Sequence, residues 1–163
     1  MGKIDDLVLW RCRNCQRSIN LTAFNSAEQL KDTIGTDAYR LNILYGPDQQ
    51  RWKSVLKKNG SDVKTIIFAG DYEKFLENGV IREFYYIGAS DGLAAVYVKQ
   101  AGQTDRVYYA HTDHLGSIVS LTDANGTSAF KATYDAWGRQ TIAQNSIGFY
   151  RGYTGHEHLP EFG

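Results

Sequence analysis

The stretch HTDHLGSIVSLTDANGT, residues 111–127, gathers His111, Asp113 and His114 within four positions. Imidazole and carboxylate are groups that zinc accepts. A second group, His156, Glu157 and His158, lies in GYTGHEHL, residues 152–159. On a strand, alternate side chains share a face. His111 and Asp113 then point one way and His114 the other, and His156 and His158 likewise oppose Glu157. Each cluster offers two ligands on one face, so a metal site needs both clusters side by side. The competing reading is structural: these polar groups satisfy backbone donors and acceptors at corners around Gly116 and Gly155. Ser117 and Ser120, close to His114 and Asp113, supply the residue types of a hydrolase triad. No nucleophile elbow surrounds them, and a triad is defined by geometry rather than by neighbouring letters. The structural reading is preferred, with no catalytic residue and no cofactor assigned, and a metal-dependent enzyme ranks third.

Two further groups bear on chemistry. Cys12 and Cys15 form a C-x-x-C. Half a zinc site, a redox pair or two cysteines beside a strand all fit it, and no second C-x-x-C completes a tetrahedral set. Tyr85, Tyr86, Tyr97, Tyr108, Tyr109, Tyr134, Trp137, Tyr150 and Tyr153 form an aromatic population. Rings on a sheet stack on sugars, which makes a carbohydrate-binding or adhesion surface the second reading, or they pack across strands.

The elements that position these groups read as strands. Sixteen glycines and eleven tyrosines stand against two prolines, which suits a sheet with many tight turns. Turn signals recur at Gly46-Pro47-Asp48, Asn59-Gly60, Asn78-Gly79, Ser90-Asp91-Gly92, Ala101-Gly102, Asn125-Gly126 and Trp137-Gly138. Asn-Gly marks a two-residue hairpin whose central residues both need positive φ. Between the turns lie strand patterns. In 130–135, Phe130, Ala132 and Tyr134 alternate with Lys131, Thr133 and Asp135. Only 26–35 reads as helical, with a Ser26 N-cap, Gln29 three residues on and a terminal Gly35, a turn or loop being the competing reading. Short turns without crossovers require antiparallel pairing. Residues 39–160 are expected to fold as successive neighbouring ribbons. Eighteen basic residues balance eighteen acidic ones, so nothing favours nucleic acid, and no apolar run is long enough to span a membrane as a helix.

Residues 39–51 and 130–139 are a degenerate repeat: alternating strand residues, an aromatic, a small or acidic turn, then Arg. With the motifs YYAHTDHLGS at 108–117, LTDANG at 121–126, YDAWGR at 134–139 and RGYTGHEHL at 151–159, the chain resembles the Rhs (rearrangement hotspot) or YD-repeat proteins, in their repeat-associated core region. The resemblance covers roughly residues 39–160. It implies a spiralling β-sheet shell around a C-terminal toxin or effector, in a bacterial protein that is secreted or delivered at the cell surface. It also implies structural roles for His111, Asp113, His114 and Gly116, for Asp123 and Gly126, for Tyr134, Asp135, Gly138 and Arg139, and for Gly155, His156 and Glu157. The family usually continues into an Asp-Pro cleavage motif. This chain has no Asp-Pro, so the cleavage residues are not carried over, and the reading is a shell slice truncated at its C-terminus.

The expectation is therefore an all-β antiparallel meander. Residues 1–38 form an N-terminal segment with a short helix, and 39–163 form the sheet module. Its partners are further YD-repeat sheet and the effector. Open edge strands, with bare N–H and C=O groups, also favour self-association.

Overall fold

The computed structural model describes residues 18–90 and 92–162; Cys12 and Cys15 lie outside them. Among the described residues the fold is all β, with twelve antiparallel strands in chain order. The helical elements among the described residues are two short 3₁₀ turns, Tyr153–Gly155 and Pro160–Phe162. The chain divides into two compact units, residues 1–67 and 68–163.

The first unit carries β1 (Ser18–Leu21), β2 (Ala27–Ile34), β3 (Asp37–Tyr45), β4 (Arg51–Lys58) and most of β5 (Ser61–Ala69). Leu41, Ile43, Leu56 and Ile66 are buried on one face, as alternation on a half-covered sheet demands. Asn59 and Gly60 both have positive φ (51° and 88°), as a two-residue hairpin requires.

The helix expected at 26–35 is instead strand β2, paired with β1 and β3. Leu30, Asp32 and Ile34 fit period two as well as a helix. Two ladders of hydrogen bonds override the intrinsic preference of a ten-residue stretch. Ser26 is no helix cap; its carbonyl accepts from Thr22 N–H (2.8 Å). Gly35 does adopt positive φ (63°), but it turns the β2–β3 hairpin.

The second unit continues with β6 (Tyr72–Glu77), β7 (Val80–Ala89), β8 (Gly92–Gln100) and β9 (Arg106–Thr112). It closes its meander with β10 (Ile118–Thr122), β11 (Ser128–Tyr134) and β12 (Gln140–Asn145). Phe75, Phe84, Val96, Leu121 and Phe130 make its core face. The ribbon stops at Asn145, short of the expected residue 160. The Asn145 side chain bonds both the N–H (2.9 Å) and the C=O (2.7 Å) of Phe149 and turns the chain out of the sheet. Residues 146–162 then cross back over the core face. Phe149 meets Phe84 and Phe130 edge-on at 5.9 and 5.2 Å, and Tyr150 stacks on Phe75 at 5.0 Å. Phe149 is 1% exposed; burying such a ring stabilises by about 1.5–3 kcal/mol.

Candidate functional site

The constellation at 111–117 is a corner, and its chemistry is hydrogen bonding to backbone. Asp113 N–H donates to Ser117 C=O and Gly116 N–H to Asp113 C=O, both at 3.0 Å. Asp113 Oδ1 accepts from the N–H of Leu115 (2.9 Å) and of Ser117 (2.8 Å). Desolvation pulls the Asp113 carboxyl up, but these N–H groups outweigh it and hold it below the usual carboxylate range. The same frame recurs at Asp123–Thr127, where Oδ1 accepts from Asn125 and Thr127, both at 2.9 Å. It recurs again at Asp135–Arg139, where Oδ1 accepts from Trp137 and Arg139 at 2.9 Å. Gly116, Gly126 and Gly138 supply the positive φ, near 80° in each. Asn125-Gly126 is thus not the two-residue hairpin expected of it: only Gly126 is left-handed, and Asp123 Oδ1 holds the N–H groups on either side of it, those of Asn125 and Thr127. Asp135 meets Arg139 through the backbone N–H, which sets the turn without help from the guanidinium.

The repeat seen in sequence has a physical basis. Tyr45 and Tyr134 each stand directly before a five-residue corner. The Tyr45 hydroxyl donates to Ala27 C=O (2.8 Å) and the Tyr134 hydroxyl to Ile118 C=O (2.6 Å). Each phenol reaches back to the preceding strand, β2 or β10, on the side away from its corner, and pins that register.

Three motifs far apart in sequence meet at one end of the second unit. Ile118 N–H donates to Gly152 C=O (3.1 Å), and Thr154 N–H donates to the buried Ser117 Oγ (3.2 Å). The Tyr134 and Tyr153 rings lie 6.0 Å apart. A Cβ on Gly138 would sit 2.9 Å from Tyr153. Gly152 opens another corner, with its N–H on His156 C=O (2.8 Å) and Gly155 N–H on Gly152 C=O (3.0 Å).

The histidine corners lie side by side, yet their imidazoles bond locally. His111 Nε2 pairs with Thr122 Oγ1 at 2.8 Å, and His156 Nδ1 with Thr154 Oγ1 at 2.8 Å. His114 is exposed in its turn, and His158 N–H donates to Tyr150 C=O (2.9 Å). The backbone of Glu157 forms an isolated antiparallel β-bridge with that of Arg151. Among the described residues no group of three or more His, Cys, Asp or Glu gathers as a metal site would require. The triad letters part as well: Ser120 Oγ donates to Phe130 C=O (3.1 Å).

The most concentrated electrostatics lie where sequence reasoning assigned no role. Glu73, on β6, is 1% exposed. Its carboxylate pairs with the Arg151 guanidinium and accepts from the hydroxyls of Tyr150 and Tyr86, the latter at 2.5 Å. Arg151 Nη1 donates to Gly155 C=O (2.8 Å), and its guanidinium lies 4.8 Å from the Tyr86 ring centroid. Burial, then the adjacent negative charge, pushes the Tyr86 phenol far up; burial also pushes up Tyr150. Burial works against the Arg151 cation, but Glu73 outweighs it and holds the proton. The available signal was an acid alternating with Phe75 on an apolar strand face.

The aromatics divide between faces. Tyr72, Tyr85 and Tyr97 are successive cross-strand partners away from the core, with ring centroids 4.8 and 5.7 Å apart. The Tyr85 hydroxyl donates to Glu83 (3.0 Å) and the Tyr97 hydroxyl to Asp105 (2.9 Å).

These corners carry a family signature. Residues 107–144 match the model of the RHS protein family. The chain carries an RHS segment. That segment spans most of β9 through β12 and all three Asp corners. The fold agrees over a wider range. A crystal structure of TcdB2-TccC3 superposes with TM-score 0.68, and one of TcdB2-TccC3-Cdc42 with 0.69. The Photorhabdus luminescens Tc holotoxin pore, with a mutated TccC3, gives 0.69. Each is 12% identical, and each match covers 86% of this chain and 8% of the other. At that identity the likeness is one of fold. Comparison with curated proteins finds no match.

Proposed function

We propose that this chain is a structural module of an Rhs or YD-repeat shell, with no catalysis of its own. Its sheet packs against more YD-repeat sheet of a longer protein and helps to enclose or present a C-terminal effector. The observation that carries this reading is the Asp corner repeated at 113, 123 and 135. Side chains spent on identical turns support a role in extending a sheet rather than in assembling a reactive site. The RHS segment and the likeness to chains of which this one spans 8% support it. In this reading residues 39–163 are the core module, its sheet ending at Asn145, and the ladders joining β1, β2 and β3 extend that sheet back to residue 18. His111, Asp113, His114, His156 and Glu157 serve the corners.

The test uses the complete product of the gene that encodes this chain. Limited proteolysis should leave the segment downstream of the shell intact until the sheet is denatured. Cleavage of that segment at the rate of the isolated domain would refute enclosure.

A further inference from the structure

We infer that the outward face of β2–β4 binds an anionic glycan bearing sulfate or phosphate groups. Lys31, Arg40 and Lys57 are direct cross-strand partners, Lys31 with Arg40 and Arg40 with Lys57. Their side chains therefore share a face, opposite buried Leu41 and Leu56. Like charges directly opposed destabilise a sheet. The residues diagonal to them on the same face, Gln29, Thr33, Ala38, Asn42 and Val55, are uncharged.

The protein solves the same problem differently elsewhere. In the second unit, Lys74, Glu83 and Lys99 are successive partners, with alternating sign. In the first unit the only acid in the row is at its end, where Asp62 pairs with Lys57. Lys31 and Arg40 face no carboxylate across the ladder.

The row lies in an open cleft of about 810 Å³, lined also by Ser18, Asp32 and Tyr39. Asp32 is the one acid among the described lining residues. It is 2% exposed, and its Oδ1 accepts from Thr33 N–H (2.8 Å), so its carboxylate is kept from direct contact with a ligand in the opening. Strands sit about 4.8 Å apart, which spreads Lys31, Arg40 and the Asp62-paired Lys57 over about 10 Å. That span suits a chain of oxyanions better than one ion, and the Arg40 fork suits a tetrahedral one. Nucleic acid would bring bases that need rings to stack on. Among the described lining residues the one ring is Tyr39, already engaged by Lys58 Nζ at 5.6 Å from its centroid.

Calorimetric titration of the 163-residue chain with a heparin-derived hexasaccharide tests this, with the desulfated hexasaccharide and an oligothymidylate as comparison probes. The sulfated sugar should bind at low ionic strength and weaken with added salt; the other two should bind less. Arg40→Gln and Lys31→Gln should each lower affinity about five- to tenfold, with a melting temperature unchanged or raised because repulsion is relieved. Arg40→Lys, which keeps the charge and loses the fork, should fall between the parent and Arg40→Gln. No binding of the sulfated sugar, equal binding by the desulfated one, or glutamine variants that bind like the parent would overturn the inference. Tighter binding of the oligothymidylate would overturn the glycan assignment.

Discussion

Replacing Arg151 with alanine tests the interior of the second unit. Removing one partner of a fully buried ion pair destabilises by about 3–5 kcal/mol. Two observations reduce that here. The Arg151 side chain is 26% exposed, so water already screens the pair. The Tyr86 and Tyr150 hydroxyls also stay on Glu73 after the cation has gone. The contact of the guanidinium with the Tyr86 ring is lost as well. The net expectation is about 2–3 kcal/mol. Glu73→Gln keeps an acceptor for both phenols and leaves a cation that can reach water, so about 1–2 kcal/mol is expected. Urea unfolding followed by circular dichroism measures both. Proteolysis should cut residues 146–162 faster in Arg151→Ala, because Arg151 ties that segment to β6. An Arg151→Ala protein within about 0.5 kcal/mol of the parent, cut at an unchanged rate, would refute the argument that this pair holds the segment down.

Asp123→Ala should cost about 1 kcal/mol in urea, since two N–H groups lose their acceptor. Asp123→Asn, which keeps Oδ1, should cost markedly less. Gly138→Ala should lower the melting temperature more than Gly126→Ala. Both suffer at φ 79°, but only a Cβ at 138 meets the Tyr153 ring. Stability should also fall at both pH extremes in a pH series of urea midpoints. Tyr86 and Tyr150 have raised pKa values in the fold. Above about pH 10 the unfolded chain releases phenol protons that the folded chain keeps, so stability drops as pH rises. The depressed Asp113 contributes above its unfolded pKa of about 3.9, and that contribution fades as pH falls through the lower folded value.

The meander was legible because its corners are local. Asn59-Gly60 and Asn78-Gly79 demand positive φ whatever surrounds them, and both pairs adopt it. Alternation in 130–135 likewise sorts Phe130 and Ala132 into the core. Residues 26–35 were misread because period two and period 3.6 coincide over so short a run, and pairing with β1 and β3 decided between them. The five-residue form of the 123–127 corner depends on an acid two residues before Asn125, outside the dipeptide that signals a hairpin. The Glu73–Arg151 pair was illegible for another reason. Its partners are 78 residues apart, and nothing local to either indicates that the chain leaves the sheet at Asn145. Of the histidine constellations, the sequence showed the residue types and their faces. Only the coordinates show the His111 and His156 imidazoles each taken by a nearby threonine.

The returning segment also sets an order of events during translation. Each hairpin in β6–β12 can zip as soon as its second strand leaves the ribosome, because strands adjacent in sequence are adjacent in the ladder. Phe75 and Phe84, however, receive Phe149 and Tyr150 only after some seventy more residues have been made. Until then the nascent sheet carries a naked greasy side. A stalled or prematurely terminated product ending before Phe149 would keep that side, and with it a standing invitation to chaperones and aggregation.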